Sequence, residues 1–172
     1  MANILVEGVN IVPAFTGNIA DMDTDQTGDH VSLKGYGKCG VLFINGAGTN
    51  GDIPTLTLQQ STVVAGTDAK VATVIDTHWI KQAATSLAAT ATFTKTAQTL
   101  ASTIVYDASS DTEVFIDYFE VNAEDLDVDN GFDCIRANVA LAASGGAQQG
   151  SVIYILQDPR YPQATSLDAI TD

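Results

Sequence analysis

The chain has 172 residues, 45% of them hydrophobic, a mean hydropathy of +0.13 and a formal net charge of −14 from 21 acidic and 7 basic residues. A chain of this length buries roughly 70% of its unfolded surface in one domain without staples. So acidic a surface repels phosphate backbones, which excludes direct nucleic-acid binding, and no apolar run approaches the roughly 18 residues of a bilayer-spanning helix.

The aliphatic residues are mostly Val, Ile and Ala, with Thr abundant around them. Val, Ile and Thr are stiff at χ1 and suit a pleated surface. At the start, Met1-Ala2-Asn3-Ile4-Leu5-Val6-Glu7 lacks the basic start, apolar stretch and small-residue cleavage site of a signal peptide. The expectation is a chain made in the cytoplasm of its host. Ile4-Leu5-Val6 and Val9-Asn10-Ile11-Val12-Pro13 read as an edge strand or an extended arm. Residues 16–30, with Asp21, Asp23, Asp25 and Asp29 among Gly and Thr, have loop composition. Residues 1–30 are thus expected to be an arm and acidic loop, and 31–172 a single β-sandwich domain.

Val31-Ser32-Leu33-Lys34 and Cys39-Gly40-Val41-Leu42-Phe43-Ile44 are short strand-like runs, joined by Gly35-Tyr36-Gly37-Lys38 as a turn or bulge. Residues 45–52 are rich in Gly and Asn, which supply positive φ at little cost, and read as a loop. Pro54-Thr55-Leu56-Thr57-Leu58-Gln59-Gln60 alternates at period two, as a half-buried strand does. After a turn at Ala65-Gly66-Thr67-Asp68, residues 70–80 read as one long, bent strand. Residues 82–101 mix Ala and Thr; the alternation at 89–94 places a strand there.

A turn at 107–111 precedes the aromatic and β-branched strand 112–121. An acidic connection leads to residues 134–141, where Ile135, Ala137, Val139 and Leu141 share a face. Ser144-Gly145-Gly146-Ala147 turns the chain into Val152-Ile153-Tyr154-Ile155-Leu156. That continuous apolar run predicts a strand covered on both sides. The tail from Asp158, with Pro159 and Pro162, reads as extended. Eight or nine strands at this spacing predict an all-β, jelly-roll-like antiparallel β-sandwich with a short N-terminal arm. An immunoglobulin-like sandwich is the alternative, although Trp79 lies far in sequence from both Cys39 and Cys134.

Chemistry is sparsely provided. His30 and His78 are the two histidines, too few for a multi-histidine metal centre, and His78 beside Trp79 reads as a packed or half-exposed residue. There is no G-x-S-x-G elbow, and the glycines at 46–51 lack the Lys and helix of a phosphate loop. Asp125-Leu126-Asp127-Val128-Asp129-Asn130-Gly131 and Asp21-Met22-Asp23-Thr24-Asp25 space carboxylates like a calcium loop. Neither has Gly at position six nor Glu at position twelve. The reading preferred for 124–133 is a solvated turn with Leu126 and Val128 pointing into the core; calcium at 21–29 or 124–133 stays open. Cys39 and Cys134 read as buried thiols, with a single bridge as the alternative. The chain is expected not to be an enzyme, with no catalytic, cofactor-binding or metal residue assigned.

Three stretches carry a resemblance: Glu124 to Cys134; Val41 to Thr49 followed by Pro54 to Gln60; and Tyr154-Ile155-Leu156-Gln157-Asp158-Pro159-Arg160-Tyr161. Together they resemble capsid decoration (cement) proteins of tailed bacteriophages. The resemblance implies a jelly-roll-like domain, often trimeric, fixed to the outside of a shell of major capsid protein. It implies a virion protein on the capsid outer surface that self-associates as a homo-oligomer, and it brings no catalytic residues. Another phage part, at the neck, tail or fibre, is the second reading. The third is a carbohydrate-binding β-sandwich, whose sugar platform would draw on Trp79 and the tyrosines at 36, 106, 118, 154 and 161.

Overall fold

Residues 8–15, 20–22, 24–48, 51, 53–83, 92–107, 112–141 and 148–160 are described by a computed structural model. Among them run thirteen strands: β1 (Asn10–Pro13), β2 (Ala20–Asp21), β3 (Gln26–Thr27), β4 (Val31–Ser32), β5 (Tyr36–Asn45), β6 (Pro54–Ser61), β7 (Lys70–Val71), β8 (Ile75–Ala83), β9 (Thr94–Ala101), β10 (Thr103–Val105), β11 (Val114–Asn122), β12 (Cys134–Leu141) and β13 (Gln149–Pro159). The described residues include two single-turn 3₁₀ segments, Ala123–Asp125 and Val128–Asn130, and no α-helix.

The strands form two antiparallel sheets packed as a sandwich. The larger has the order β1-β13-β5-β11-β8-β9, with β2 also on β13. The smaller has the order β10-β6-β12-β3, with β4 on β12 and β7 on β6. From β5 to β6, β7 to β8, β9 to β10, β10 to β11, β11 to β12 and β12 to β13 the chain crosses between the sheets, which gives the sandwich its jelly-roll-like character.

Period-two alternation fills the space between the sheets. Cys39, Val41 and Phe43 of β5, Phe115, Phe119 and Val121 of β11, and Val152, Tyr154 and Leu156 of β13 are buried from one side. Leu56 and Leu58 of β6 and Ile135, Ala137 and Val139 of β12 meet them from the other. Phe43 meets Phe115 edge-on at 5.2 Å, and Tyr106 stacks on Phe115 at 4.6 Å, distances typical of attractive aromatic pairs. Tyr154 ties the sheets together: its hydroxyl accepts the Ala137 N–H at 2.8 Å and donates to the Asp29 carbonyl at 3.1 Å.

Several expectations are refined. Residues 10–13 are an edge strand on β13, while residues 1–7 lie outside the described residues. The long strand expected over 70–80 is two strands, because β7 pairs in the smaller sheet and β8 in the larger, with 72–74 making the switch. In the Ala/Thr stretch the strand is β9, at 94–101, later than the alternation at 89–94 suggested; residues 84–91 lie outside the described residues, as do the turn at 144–147 and the tail beyond Arg160. Tyr36 opens β5 and is not part of a turn. The turn at 65–68 holds, and Gly66 is required there: its φ is +64°, and a Cβ would lie 2.3 Å from the His30 ring.

Candidate functional site

Alternation that points Phe43, Phe119 and Tyr154 inward points their neighbours outward, and in the larger sheet those neighbours are apolar too. The register aligns them in rows across the strands. One row runs Pro13, Ile153, Leu42, Tyr118, Trp79, Lys95 and touches six strands in succession. A second runs Ser151, Ile44, Ile116, Lys81. A third runs Ile11, Ile155, Gly40, Glu120. Ile11 is 55% exposed and Ile44 37%; Leu42, Ile116, Tyr118, Trp79, Ile153 and Ile155 are part-exposed.

With strands about 4.8 Å apart and outward residues about 6.6 Å apart along them, the positions in these rows cover roughly 440 Å², of which the apolar ones make up roughly 290 Å². An apolar patch of that size is often functional on a monomer's surface.

The rim carries an ordered line of polar contacts. Lys95 Nζ lies 5.8 Å from the Trp79 ring, and that ring lies 6.3 Å from Tyr118. The Tyr118 ring covers Gly40, where a Cβ would sit 2.6 Å from it, so the glycine is required for the ring to lie flat. Tyr118 donates to Glu120 Oε1 at 2.8 Å, and Lys38 Nζ stands 3.8 Å from both Glu120 and Asp158. Burial, with Glu120 beside it, pushes the Tyr118 hydroxyl well above the usual tyrosine range, so it remains a donor. Lys38, Lys81 and Lys95 against Glu120 and Asp158 leave the face with a small excess of positive charge in a strongly acidic protein.

Beneath the face sits a buried polar knot. His78 Nδ1 is 2.8 Å from Asp117 Oδ1, and Tyr106 donates to Asp117 Oδ2 at 2.7 Å. All three residues are buried, Asp117 to 1% exposure. Burial, then Asp117, holds the Tyr106 hydroxyl far above its ordinary range and keeps it protonated. The imidazole completes the carboxylate's hydrogen bonding, and the knot joins β8, β11 and the residue after β10. His78 is therefore packed, as expected. Asp117 was not singled out, yet the signal was there: it shares parity with Phe115, Phe119 and Val121.

The acidic connection 124–133 is a hydrogen-bonded turn. Lys70 pairs with Asp127 and lies 3.8 Å from the centre of the Phe132 ring. Asp127 also accepts from Asn130 at 2.7 Å, and Asp125 from Asn122 at 2.8 Å. Lys70 and then Asn130 hold the Asp127 carboxyl below its usual range. Leu126 points into the core as expected, but Val128 does not: it is 51% exposed, because the second 3₁₀ turn swings it outward. Among the described residues no three His, Cys, Asp or Glu side chains converge as a metal site would require; Asp23 lies outside them. Leu33, Ala123, Val128 and Phe132, with Lys34 and Arg160, line a cavity of about 170 Å³ beside this turn.

Cys39 and Cys134 are free and buried, one in each sheet, and burial raises both thiols to about 12. Of the aromatic residues considered for a sugar platform, Tyr36, Tyr106 and Tyr154 are buried in the core. Trp79 and Tyr118 share the outer face, and Tyr161 lies outside the described residues. Among the described residues no helix is long and apolar enough to cross a membrane.

Neither a family model nor a curated protein matches the chain. Among solved structures it is similar to the SPBc2 prophage-derived protein YomS, at 9% identity and a TM-score of 0.43, over 86% of this chain and 91% of that one. It is also aligned with a chain of the structure of infectious bursal disease virus Gt strain, at 9% identity and a TM-score of 0.22, over 95% of this chain and 43% of that one.

Proposed function

We propose that this chain is a structural virion protein that sits on the outside of a tailed-phage capsid and stabilises the shell by bridging major capsid protein subunits. The observation that carries the reading is the outer face of the larger sheet, a broad apolar surface with a small excess of positive charge at its rim, on a protein that is otherwise strongly acidic. An apolar face of that size lowers free energy only when a partner covers it. The depletion of acidic groups there, with aromatic and aliphatic side chains at its centre, matches the composition of interface cores. The resemblance of residues 41–60, 124–134 and 154–161 to capsid decoration proteins supplies the identity of the partner.

The mechanism is mass action. A protein that binds only the assembled shell adds its binding free energy to the cost of dismantling it. The chain's own chemistry is adhesion: β5, β11 and β13 present Leu42, Ile44, Ile116, Ile153 and Ile155, while Trp79 and Tyr118 add wide, stiff contact surface.

The test is co-sedimentation of the purified protein with empty shells of the major capsid protein. The expected result is saturable binding at a copy number locked to the shell lattice, lost in Ile44→Glu. Absence of binding to shells overturns the reading and moves the search to necks, tails and fibres.

A further inference from the structure

Every one of the 21 acidic residues lies outside the stretch between Asp76 and Asp107. That stretch contains most of β8 and all of β9 and β10, and it contributes Lys81 and Lys95. It is the longest segment of the chain without a carboxylate side chain, and it ends the larger sheet. Among the described residues β9 pairs with β8 alone. Thr94, Lys95, Ala97, Thr99 and Leu100 are exposed, so the strand stands open on its far side. Phe93, Leu100 and Val105, at 50%, 56% and 71% exposure, add apolar surface in the same stretch.

The two edges of this sheet are built differently. At the β1 edge Ala14 donates to the Val152 carbonyl, so strand alternation turns position 13 outward, and there Pro13 has no N–H to offer. That is a common way to blunt an edge. β9 has no proline; it carries Lys95 and an irregular register against β8 between Ala97 and Ala101, and its threonines suit a strand.

We propose that the open edge of β9 is the contact between copies of this chain, each copy's hairpin adding its outer strand to a neighbour's. Charge selects the occupant. Two bodies of net charge −14 repel wherever carboxylates face each other, and this is the segment through which they meet without any. Lys95, the basic residue of this edge strand, adds a positive charge opposite a neighbour that is acidic overall. The contact runs along the backbone edge of β9, while the apolar rows of the outer face centre on β13, β5 and β11; Lys95 and Ala97 project from that same outer face, so shell binding has to be read alongside.

The experiment is sedimentation velocity on the full chain at high concentration, comparing the unmodified protein with an Ala97→Glu, Thr99→Glu double variant. Both positions are exposed, and the changes put carboxylates on the acid-free edge. An oligomer in the unmodified protein that weakens at least about tenfold in the variant is expected. Should the variant lose its fold, Thr99→Cys decides: oxidative cross-linking between copies is expected there, and not in a Thr57→Cys control on the smaller sheet. A monomeric unmodified protein, an oligomer that survives the double variant, or cross-linking no stronger than the control overturns the proposal. Shell binding measured alongside separates the two readings: loss of shell binding without any change of oligomeric state assigns the edge to the shell protein and overturns the contact between copies.

Discussion

The outer faces of the two sheets obey the same alternation and come out opposite. On the smaller sheet the outward rows are Thr27, Asn138, Thr57, Thr103 and then Arg136, Gln59, Val71. Their polar groups satisfy one another, Gln59 Oε1 accepting from Arg136 Nε at 2.7 Å and from Asn138 Nδ2 at 3.0 Å. On the larger sheet the corresponding rows are Ile153, Leu42, Tyr118, Trp79 and Ile44, Ile116. Folding asks for one apolar face per sheet in a sandwich. The smaller sheet has one and the larger has two. The second apolar face is thus surplus to the fold, and it is the surface on which the proposed function rests.

That contrast is breakable. The largest effect is expected from Ile44→Glu, which puts an unpaired carboxylate in the middle of the larger face. Binding to shells should fall by about 100-fold or more, a cost of several kcal/mol for a buried unpaired charge, while the circular dichroism spectrum is unchanged. Trp79→Ala removes one wide anchor and the ring beneath Lys95, and a loss of about tenfold is expected in the same sedimentation assay. For stability the sharpest test is Tyr154→Phe: the Ala137 N–H and Asp29 carbonyl lose their shared partner, and urea unfolding should show about 1–3 kcal/mol of destabilisation. Arg136→Ala, on the smaller face, sets the baseline. It removes one surface hydrogen bond, should cost about 0.5–1 kcal/mol, and should leave shell binding within about twofold. If Arg136→Ala weakens binding as much as Ile44→Glu, the contrast between the faces does not describe function.

Much of this was legible in the residues. Strands 54–61, 114–122 and 134–141 announce themselves by period-two alternation and branched side chains, and Ile135, Ala137 and Val139 fall on the core face as read. The run Val152 to Leu156 predicted cover on both sides; among the described residues Val152, Tyr154 and Leu156 are buried, while Ile153 and Ile155 on the other side are part-exposed. What was not legible depends on long-range pairing. Nothing local says that 70–71 and 75–83 belong to different sheets, because the switch is decided by whether Gln59 or Tyr118 lies alongside. The alignment of Leu42, Tyr118 and Trp79 in one row likewise exists only once three distant strands are in register. Asp117 was within reach, since a carboxylate at the parity of Phe115 and Phe119 has to be buried and therefore partnered; the identity of its partners, His78 and Tyr106, was not.

The position of β13 has a consequence for the order of events in the cell. This strand, at 149–159, lies between β1 and β5, and its Tyr154 reaches both β12 and the Asp29 carbonyl. Residues 10–13 have their described pairing on a strand that lies far later in the chain. Neither the first edge nor the continuous apolar face that includes Ile153 and Ile155 exists until β13 has been made and inserted. Because β13 is the last of the described strands to be synthesised, the face that includes Ile153 and Ile155 is completed only after every other described strand has been made.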